Sequence, residues 1–426
     1  MIHNLKQHSG FIRNVGTMLS GVFVARVVSF LAAPIIARLF SPEDFGTAAT
    51  FAMLIFLAGP LSTMMYENAM ILESDDQKAI CIGLLACTIL VGFLCFFTLM
   101  MITYDILFFK VRVLEDLGNW KYVLIWGVLL FGTAKILHSW NVRTKQFKSI
   151  AGADIGQTLS MVSFRICAGI VHGSSVTGLV FGYLIGIAAK IIIIIKNVNK
   201  TLLHSVMNIE KKNYFHIAKE YKEFPLYMTP LRLVKVLSDN LPIMLLAFMY
   251  SPEIVGYFAI TNRLVRVPAD IAQKSVGQTY FQKASEIFNS GKAIKSSLIK
   301  TTFGLAVLGM PIFLLVVFFG KVIFTTLLGT NWETAGHYVQ ILSPWFFTLL
   351  LKAPAASVMT IVRKQNVLFF VNLIFLTLKS FVFAAAYLFD FTAEDTLLWY
   401  MFFSAFEETF IIFTGLIFSK NKPVRP

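Results

Sequence analysis

The sequence predicts an all-α polytopic membrane protein with about 12 transmembrane helices. Of its 426 residues, 57% are hydrophobic and 14% are charged, whereas about one quarter of the residues in a soluble globular domain are charged. Apolar runs of about 20 residues, the length that crosses the hydrocarbon of a bilayer, recur from end to end. The two halves of the chain also share short motifs, which indicates an internal duplication.

Twelve apolar runs are long enough to be spans. They cover 14–36, 46–68, 79–103, 121–141, 152–172, 175–195, 224–249, 254–276, 298–319, 338–361, 367–389 and 396–418. The longest connection, from 196 to 223, is strongly basic and separates six spans from six. We therefore expect an N-terminal six-helix lobe at 1–200, a basic cytoplasmic linker at 201–223 and a C-terminal six-helix lobe at 224–426.

Basic residues indicate the orientation of these spans. If the N-terminus is cytoplasmic, 22 Lys and Arg residues fall on the cytoplasmic side and 5 on the other. Lys and Arg are enriched in the cytoplasmic loops of membrane proteins. We therefore expect both termini in the cytoplasm, and the formal net charge of +14 reflects topology rather than a nucleic-acid partner.

The duplication is visible where the first and seventh spans end. Phe40-Ser-Pro-Glu-Asp-Phe-Gly46 follows the first span, and Tyr250-Ser-Pro-Glu-Ile-Val-Gly256 follows the seventh. Ser-Pro-Glu suits a helix start, because it provides a capping residue, a proline in the first turn and an acid near the positive helix end. Each half has an even number of spans, so the repeats are expected to be parallel.

Charges inside the spans are the candidate functional feature. Ten Lys and Arg residues and six acids fall there, and each costs about 2.5–3.5 kcal/mol at a span centre. Such groups should face a bundle interior or a wet cavity rather than lipid. In two neighbouring spans the pattern basic, basic, acidic recurs at i, i+3 and i+7, on one helix face. These stripes are Arg232, Lys235 and Asp239, and Arg263, Arg266 and Asp270.

The deepest charges are the candidate cavity residues. The candidate substrate-binding cations are Arg26, Arg232, Lys235, Arg263, Arg266 and Lys379, and the candidate acids, which would separate the cations or couple an ion, are Asp239, Asp270, Glu407 and Glu408. The basic excess suits an anionic passenger, because Arg offers phosphate a planar donor fork and Lys a point charge. Structural pairing, for example of Lys379 with Glu407, is the open alternative.

Four further charges lie near the predicted cytoplasmic ends of spans. They are Glu67, Lys135, Asp154 and Lys190. Long side chains at such positions commonly reach out to the membrane interface. For these four we therefore expect interfacial placement rather than a role in transport.

Catalytic and cofactor motifs are missing from the sequence. It contains no phosphate-binding Gly-x-x-x-x-Gly-Lys loop, no zinc-protease His-Glu-x-x-His and no Gly-x-Ser-x-Gly nucleophile elbow. Its four cysteines, Cys81, Cys87, Cys95 and Cys167, lie in apolar runs without metal-ligand spacing. We therefore expect no catalytic residue, no cofactor and no metal, and a protein that is not an enzyme.

Two stretches carry a resemblance to a known family. Pro34-Ile-Ile-Ala-Arg38-Leu-Phe-Ser-Pro-Glu-Asp-Phe-Gly46, near the start, resembles the opening of the Wzx-type polysaccharide flippases of the multidrug/oligosaccharidyl-lipid/polysaccharide (MOP) exporter superfamily. Leu327-Leu-Gly-Thr-Asn-Trp332 is similar to the external loop before their tenth span. The resemblance implies two six-helix lobes around a central cavity that work by alternating access. That family has no short invariant motif from which site residues could be transferred.

The resemblance also implies a passenger and a location. The passenger would be an undecaprenyl-pyrophosphate-linked oligosaccharide, moved to the periplasmic leaflet of the bacterial cytoplasmic (inner) membrane for O-antigen or capsule synthesis. Membrane lipid would be one partner, and polysaccharide polymerase and chain-length proteins would be others. The alternatives are a multi-span polymerase or ligase, which the short external loops disfavour, and a MOP-type drug or lipid II exporter.

Overall fold

A computed structural model describes residues 2–106, 111–196 and 214–419, without the side chains of 2–19, 267, 270–272, 274–275 and 278. Within these ranges all regular structure is helical. The α-helices are α1 (Ile2–Leu39), α2 (Pro42–Thr63), α3 (Tyr66–Leu72), α4 (Asp76–Ile106), α5 (Arg112–Leu117), α6 (Trp120–Arg143), α7 (Phe147–His172), α8 (Val176–Lys196), α9 (Tyr214–Glu220), α10 (Thr229–Met249), α11 (Pro252–Asn289), α12 (Lys295–Leu328), α13 (Glu333–Leu351), α14 (Ala353–Ile361), α15 (Gln365–Leu388) and α16 (Ala393–Phe418).

Nine of the described helical segments are long and apolar enough to cross a membrane. They coincide with nine of the twelve predicted spans. The other three predicted spans fall on α7, α10 and α11, which have 26, 21 and 38 residues. These helices are long enough to cross, but their charges lower their hydropathy. Two of these three less apolar helices, α10 and α11, carry the two charged stripes.

The chain forms two compact units, Met1–Val255 and Gly256–Pro426. Unit 1 contains α1 to α10, and α10 packs against α2 within it. The helix that carries Arg232 thus belongs with the N-terminal part of the chain. The predicted lobe boundary at 224 lies before this helix, and residues 201–213 of the predicted linker lie outside the described residues. The two-lobe division remains a prediction.

The first Ser-Pro-Glu motif caps a helix, as its sequence predicts. The Ser41 side chain accepts a hydrogen bond from the backbone N–H of Asp44, whose carboxylate accepts one from the N–H of Ser41. This reciprocal pair satisfies N–H groups that have no partner inside the helix. In the second copy α11 begins at Pro252, the matching position.

The end of α2 differs from the corresponding part of unit 2. Helix α2 stops at Thr63, and Met64 and Met65 both adopt left-handed backbone angles, with φ of 47° and 59°. Residues with a Cβ atom rarely do so, because the conformation costs about 1–2 kcal/mol each. The chain restarts as α3, which carries Glu67 in its first turn. In unit 2, α11 runs unbroken to Asn289.

A polar cluster joins the segment before α10 to α3, α4 and the turn between them. The Tyr221 hydroxyl donates a 2.5 Å hydrogen bond to Glu73, and Lys78 lies 3.3 Å from Glu220. The Tyr66 hydroxyl donates to the backbone oxygen of Ala218 at 3.2 Å. The bond from Tyr221, with a second from the backbone N–H of Asp75, lowers the pKa of Glu73 to about 2. We call this cluster the loop clamp, and it holds the chain next to the start of α10.

Candidate functional site

Unit 1 contains a cavity of about 540 Å³. That volume lies within the range of small-molecule binding pockets. The cavity is bordered by α3, α6, α7, α8 and the start of α10. Its lining residues are Met65, Glu67, Asn68, Phe131, Ala134, Lys135, His138, Ser139, Gln157, Ile187, Lys190, Met228 and Arg232.

Two ion pairs border this cavity. Lys135 Nζ lies 2.6 Å from Glu67 Oε1, and Lys190 Nζ lies 2.7 Å from Asp154 Oδ1. The Glu67 side chain is only 2% exposed. Its oxygens make no well-aligned hydrogen bond among the described residues, so the contact with Lys135 is electrostatic. We call Glu67–Lys135 and Asp154–Lys190 the cavity pairs.

The cavity pairs differ from the placement expected for these residues. Interfacial placement at span ends was expected for all four, but the side chains turn inward and meet partners on other helices. The reason is electrostatic: an ammonium beside a carboxylate avoids the cost of an isolated charge in low dielectric. The signal that could have found them is the presence of opposite charges at the same membrane depth in different spans.

Arg232 provides the remaining charge of the cavity. It is exposed, lies in the first turn of α10, and no partner is recorded for its guanidinium within the described chain. Lys135 and Lys190 are neutralised by carboxylates, whereas Arg232 is not. Arg232 thus borders the unit 1 cavity and gives it one uncompensated positive charge, and its role in substrate binding remains a prediction.

The other members of the first stripe pair with each other. Lys235 Nζ lies 3.3 Å from Asp239 Oδ2, one turn along α10, with side chains 63% and 41% exposed. Exposed pairs at this spacing contribute only about 0.3–0.5 kcal/mol. Lys235 is therefore partly neutralised, and neither residue lines the cavity that Arg232 borders.

Three further predicted cations are half-buried, each in contact with another group. Arg26 lies in α1, and Arg263 and Arg266 lie in α11. Asp270 also belongs to α11, but its side chain lies outside the described residues. Arg26 belongs to unit 1 and the other three to unit 2.

The last three predicted residues form ion pairs inside unit 2. Lys379 of α15 lies 2.7 Å from Glu407 of α16, with side chains 13% and 10% exposed. Lys352, at the break between α13 and α14, lies 2.7 Å from Glu408. Lys379, Glu407 and Glu408 thus each have an ion-pair partner, as the pairing alternative has it for Lys379 and Glu407, and their assignment to a cavity remains a prediction. We call Lys379–Glu407 and Lys352–Glu408 the packed pairs.

Arg165 also has an internal partner. Its Nε and Nη2 atoms donate to the backbone oxygen of Leu179 at 3.2 and 2.9 Å, and its side chain is buried. A Cβ atom at Gly182 would lie 2.6 Å from Arg165 Cγ, so the glycine makes room for it. Arg165 thus links α7 to α8 through hydrogen bonds.

The lining of the unit 1 cavity is rich in hydrogen-bond donors. It offers N–H donors from Arg232, Asn68 and Gln157, together with the N–H groups of Lys190 that do not face Asp154. The three N–H groups of Lys135 are already used by Glu67, the backbone oxygen of Gly59 and the sulfur of Met65. Across the described residues, no cluster of three or more His, Cys, Asp and Glu side chains could hold a metal ion. The arrangement can hold a ligand rich in acceptor oxygens.

Comparison with solved structures identifies the fold. The lipid II flippase MurJ, in an inward closed conformation, aligns with a TM-score of 0.69 and 12% identity over 96% of this chain and 88% of that one. An inward-facing multidrug resistance MATE transporter of the MOP superfamily aligns with a TM-score of 0.64 and 10% identity over 94% and 97%. The protein therefore has the fold of MOP-superfamily transporters.

Sequence comparison then gives the family. A family model described as polysaccharide biosynthesis protein matches residues 35–337. The chain belongs to this family, and the family and the fold both agree with the resemblance carried by its opening motif. No curated protein matches the sequence.

Proposed function

We propose that this protein flips undecaprenyl-pyrophosphate-linked oligosaccharide repeat units across the bacterial cytoplasmic membrane for O-antigen or capsule synthesis. The observation that carries the proposal is a donor-rich cavity with one uncompensated cation inside an apolar helical unit of a polysaccharide biosynthesis protein. A flippase of lipid II shares the fold, which supports a lipid-linked passenger.

The physical problem of such transport explains the cavity. Sugars and pyrophosphate cannot enter hydrocarbon without losing hydration, whereas a lipid tail remains in the bilayer throughout. A cavity that offers N–H donors replaces the lost water. Arg232 is the first candidate contact, and Arg26, Lys235, Arg263 and Arg266 are further candidates for the anionic parts of the passenger. Transport proceeds by alternating access, with both termini in the cytoplasm.

The direct test follows the lipid-linked intermediate. In cells that lack the protein, we expect repeat units on undecaprenyl pyrophosphate to accumulate in the cytoplasmic leaflet and surface polysaccharide to disappear. A polymerase or ligase defect would instead leave single units accessible from the periplasm. Unchanged polysaccharide in the deletion strain would overturn the proposal, and efflux of drugs without translocation of lipid-linked sugar would indicate a drug exporter.

A variant tests the cations. Neutralising Arg232 together with Arg266, both to Gln, is expected to abolish surface polysaccharide while the protein still inserts in the membrane. Arg363→Gln, in the exposed turn between α14 and α15, is the matched control. Wild-type polysaccharide in the double variant would remove both cations from the proposed site.

A further inference from the structure

The charge balance of the unit 1 cavity limits what it can hold. Three cations, Lys135, Lys190 and Arg232, face two carboxylates, Glu67 and Asp154, which leaves one positive charge. The lysines stay within 2.7 Å of their acids. A ligand therefore meets one free guanidinium rather than three, and a single negative charge balances it.

The rest of the lining is neutral and mixed. Asn68 and Gln157 provide amides that both donate and accept hydrogen bonds, and Phe131 provides an aromatic surface. A pyranose ring has this same mixture, because its hydroxyls lie around the edge and its C–H groups form apolar faces. The volume of about 540 Å³ equals about 18 water volumes, which gives room for a sugar ring with water around it.

We infer that the unit 1 cavity is a subsite for a carboxylate-bearing sugar of the passenger, a residue of the hexuronic acid class. Its carboxylate takes both donors of the Arg232 fork, and its hydroxyls bond to Asn68, Gln157 and the remaining N–H groups of Lys190. The inference rests on the proposed function and adds to it the kind of repeat unit carried: an acidic one.

Pyrophosphate fits this cavity less well. It carries at least two negative charges in a small volume, and proteins bind such groups with several convergent cations or with free helix N-termini. Here one cation is free. The start of α3, which borders the cavity, already carries Glu67 in its first turn, so that position is taken by an acid of the protein itself.

Direct binding to the purified full-length protein tests the inference. Glucuronate, glucose and inorganic pyrophosphate are titrated separately, and binding is followed by calorimetry and ligand-observed NMR. We expect glucuronate to bind at least about tenfold more tightly than glucose or pyrophosphate, and more weakly as salt rises. Arg232→Gln should remove this preference, Arg232→Lys should keep part of it, and Arg363→Gln should leave it unchanged.

The same titrations can overturn it. Absence of glucuronate binding, equal binding of glucuronate and glucose, tighter binding of pyrophosphate, or glucuronate binding unchanged in Arg232→Gln each contradict an acidic-sugar subsite. Because Arg232 has no described partner, its replacement removes no internal contact, and a thermal melt establishes that the variant is folded.

The two proposals fail in different ways. If the deletion strain accumulates lipid-linked units but the protein binds no glucuronate, the subsite is wrong and the flippase function stands. If glucuronate binds through Arg232 but the deletion strain keeps its polysaccharide, the assigned transport role is wrong.

Discussion

Both units bury two lysine–carboxylate pairs, but in different surroundings. The cavity pairs of unit 1 border a space large enough for water, whereas the packed pairs of unit 2 connect α16 with α15 and with the break between α13 and α14. Burial alone does not separate them, because Glu67 is 2% exposed and Glu408 5%. Where water is excluded, the low dielectric strengthens the attraction between the two charges. Loss of one partner then leaves an unpaired buried charge, which strongly destabilises the folded protein. Under the proposed function, the same chemistry borders a ligand site in one unit and joins helices in the other.

The break in unit 2 shows what a packed pair does. Pro354 has no N–H, and its ring crowds the carbonyl four residues earlier, so the helix is interrupted between α13 and α14. Lys352 stands at that interruption and reaches Glu408 on α16. Because α16 also contacts α15 through Glu407, it joins three helical segments. The packed pairs therefore have a structural role: they hold neighbouring helices of unit 2 together.

The largest expected effect comes from breaking a packed pair. Lys352→Met leaves Glu408 buried without a partner and should lower the free energy of unfolding by about 3–5 kcal/mol. The further change Glu408→Leu should recover most of this loss, because it removes the unpaired charge. Denaturant unfolding of the purified protein measures both, with the exposed Lys295→Met as control. A loss below that of a surface substitution would show that unit 2 does not depend on this pair.

The matched change in a cavity pair should cost less. Lys190→Met leaves Asp154 next to the cavity, where water can hydrate it, so we expect a loss of about 1–2 kcal/mol. The same unfolding experiment compares the two Lys→Met variants directly. Equal losses would mean that the cavity is as dry as the helix interfaces of unit 2.

The loop clamp gives a smaller, pH-dependent effect. The pKa of Glu73, about 2, is below its ordinary value of 4.5, so its stabilisation is complete above about pH 4.5 and disappears as pH falls through 2. Tyr221→Phe removes the main cause and should raise this pKa. Glu73 lies in a solvated turn, so screening keeps the effect below about 1 kcal/mol.

Melting temperatures between pH 6 and pH 3 measure how much the loop clamp contributes to stability. The wild-type protein should lose more stability than Tyr221→Phe as the pH falls, so that its advantage shrinks and the two curves approach each other toward the acidic end. Parallel curves would show that the Tyr221 hydroxyl does not hold Glu73 ionised. Tyr227→Phe, an exposed position nearby, is the matched control.

The smallest expected effect on stability belongs to Arg232. Because its guanidinium has no described partner, Arg232→Gln should change the free energy of unfolding by less than about 0.5 kcal/mol. The same variant is expected to lose the ligand preference of the cavity. A large destabilisation would instead assign Arg232 to the framework, with the packed pairs.

The helices were predictable from sequence, but most of the pairs were not. Apolar runs mark every predicted span, because a membrane helix must be apolar along its length. Among the pairs, Lys235–Asp239 could be inferred from helix spacing alone. Glu67 and Lys135 are 68 residues apart on different helices, and such a meeting depends on packing that the sequence pattern does not contain.

Charge count alone also gave an incomplete picture of the site. The excess of bases in the spans indicated an anion-accepting cavity, but it gave equal weight to Arg232 and Lys379. The structure separates them, because Lys379 is neutralised by Glu407 whereas Arg232 has no described partner. The informative quantity is the net charge that remains after ion pairs are subtracted, and this depends on the three-dimensional packing of the helices.

The two left-handed residues after α2 place a limit on insertions and deletions. Each residue of an α-helix turns the chain by about 100°, and α3 follows directly after Met64 and Met65. One residue added or removed at this point would rotate Glu67 by a quarter turn or more, away from Lys135. The length of this two-residue break, more than the identity of its side chains, therefore keeps an acid facing the cavity, and homologous chains should conserve that length.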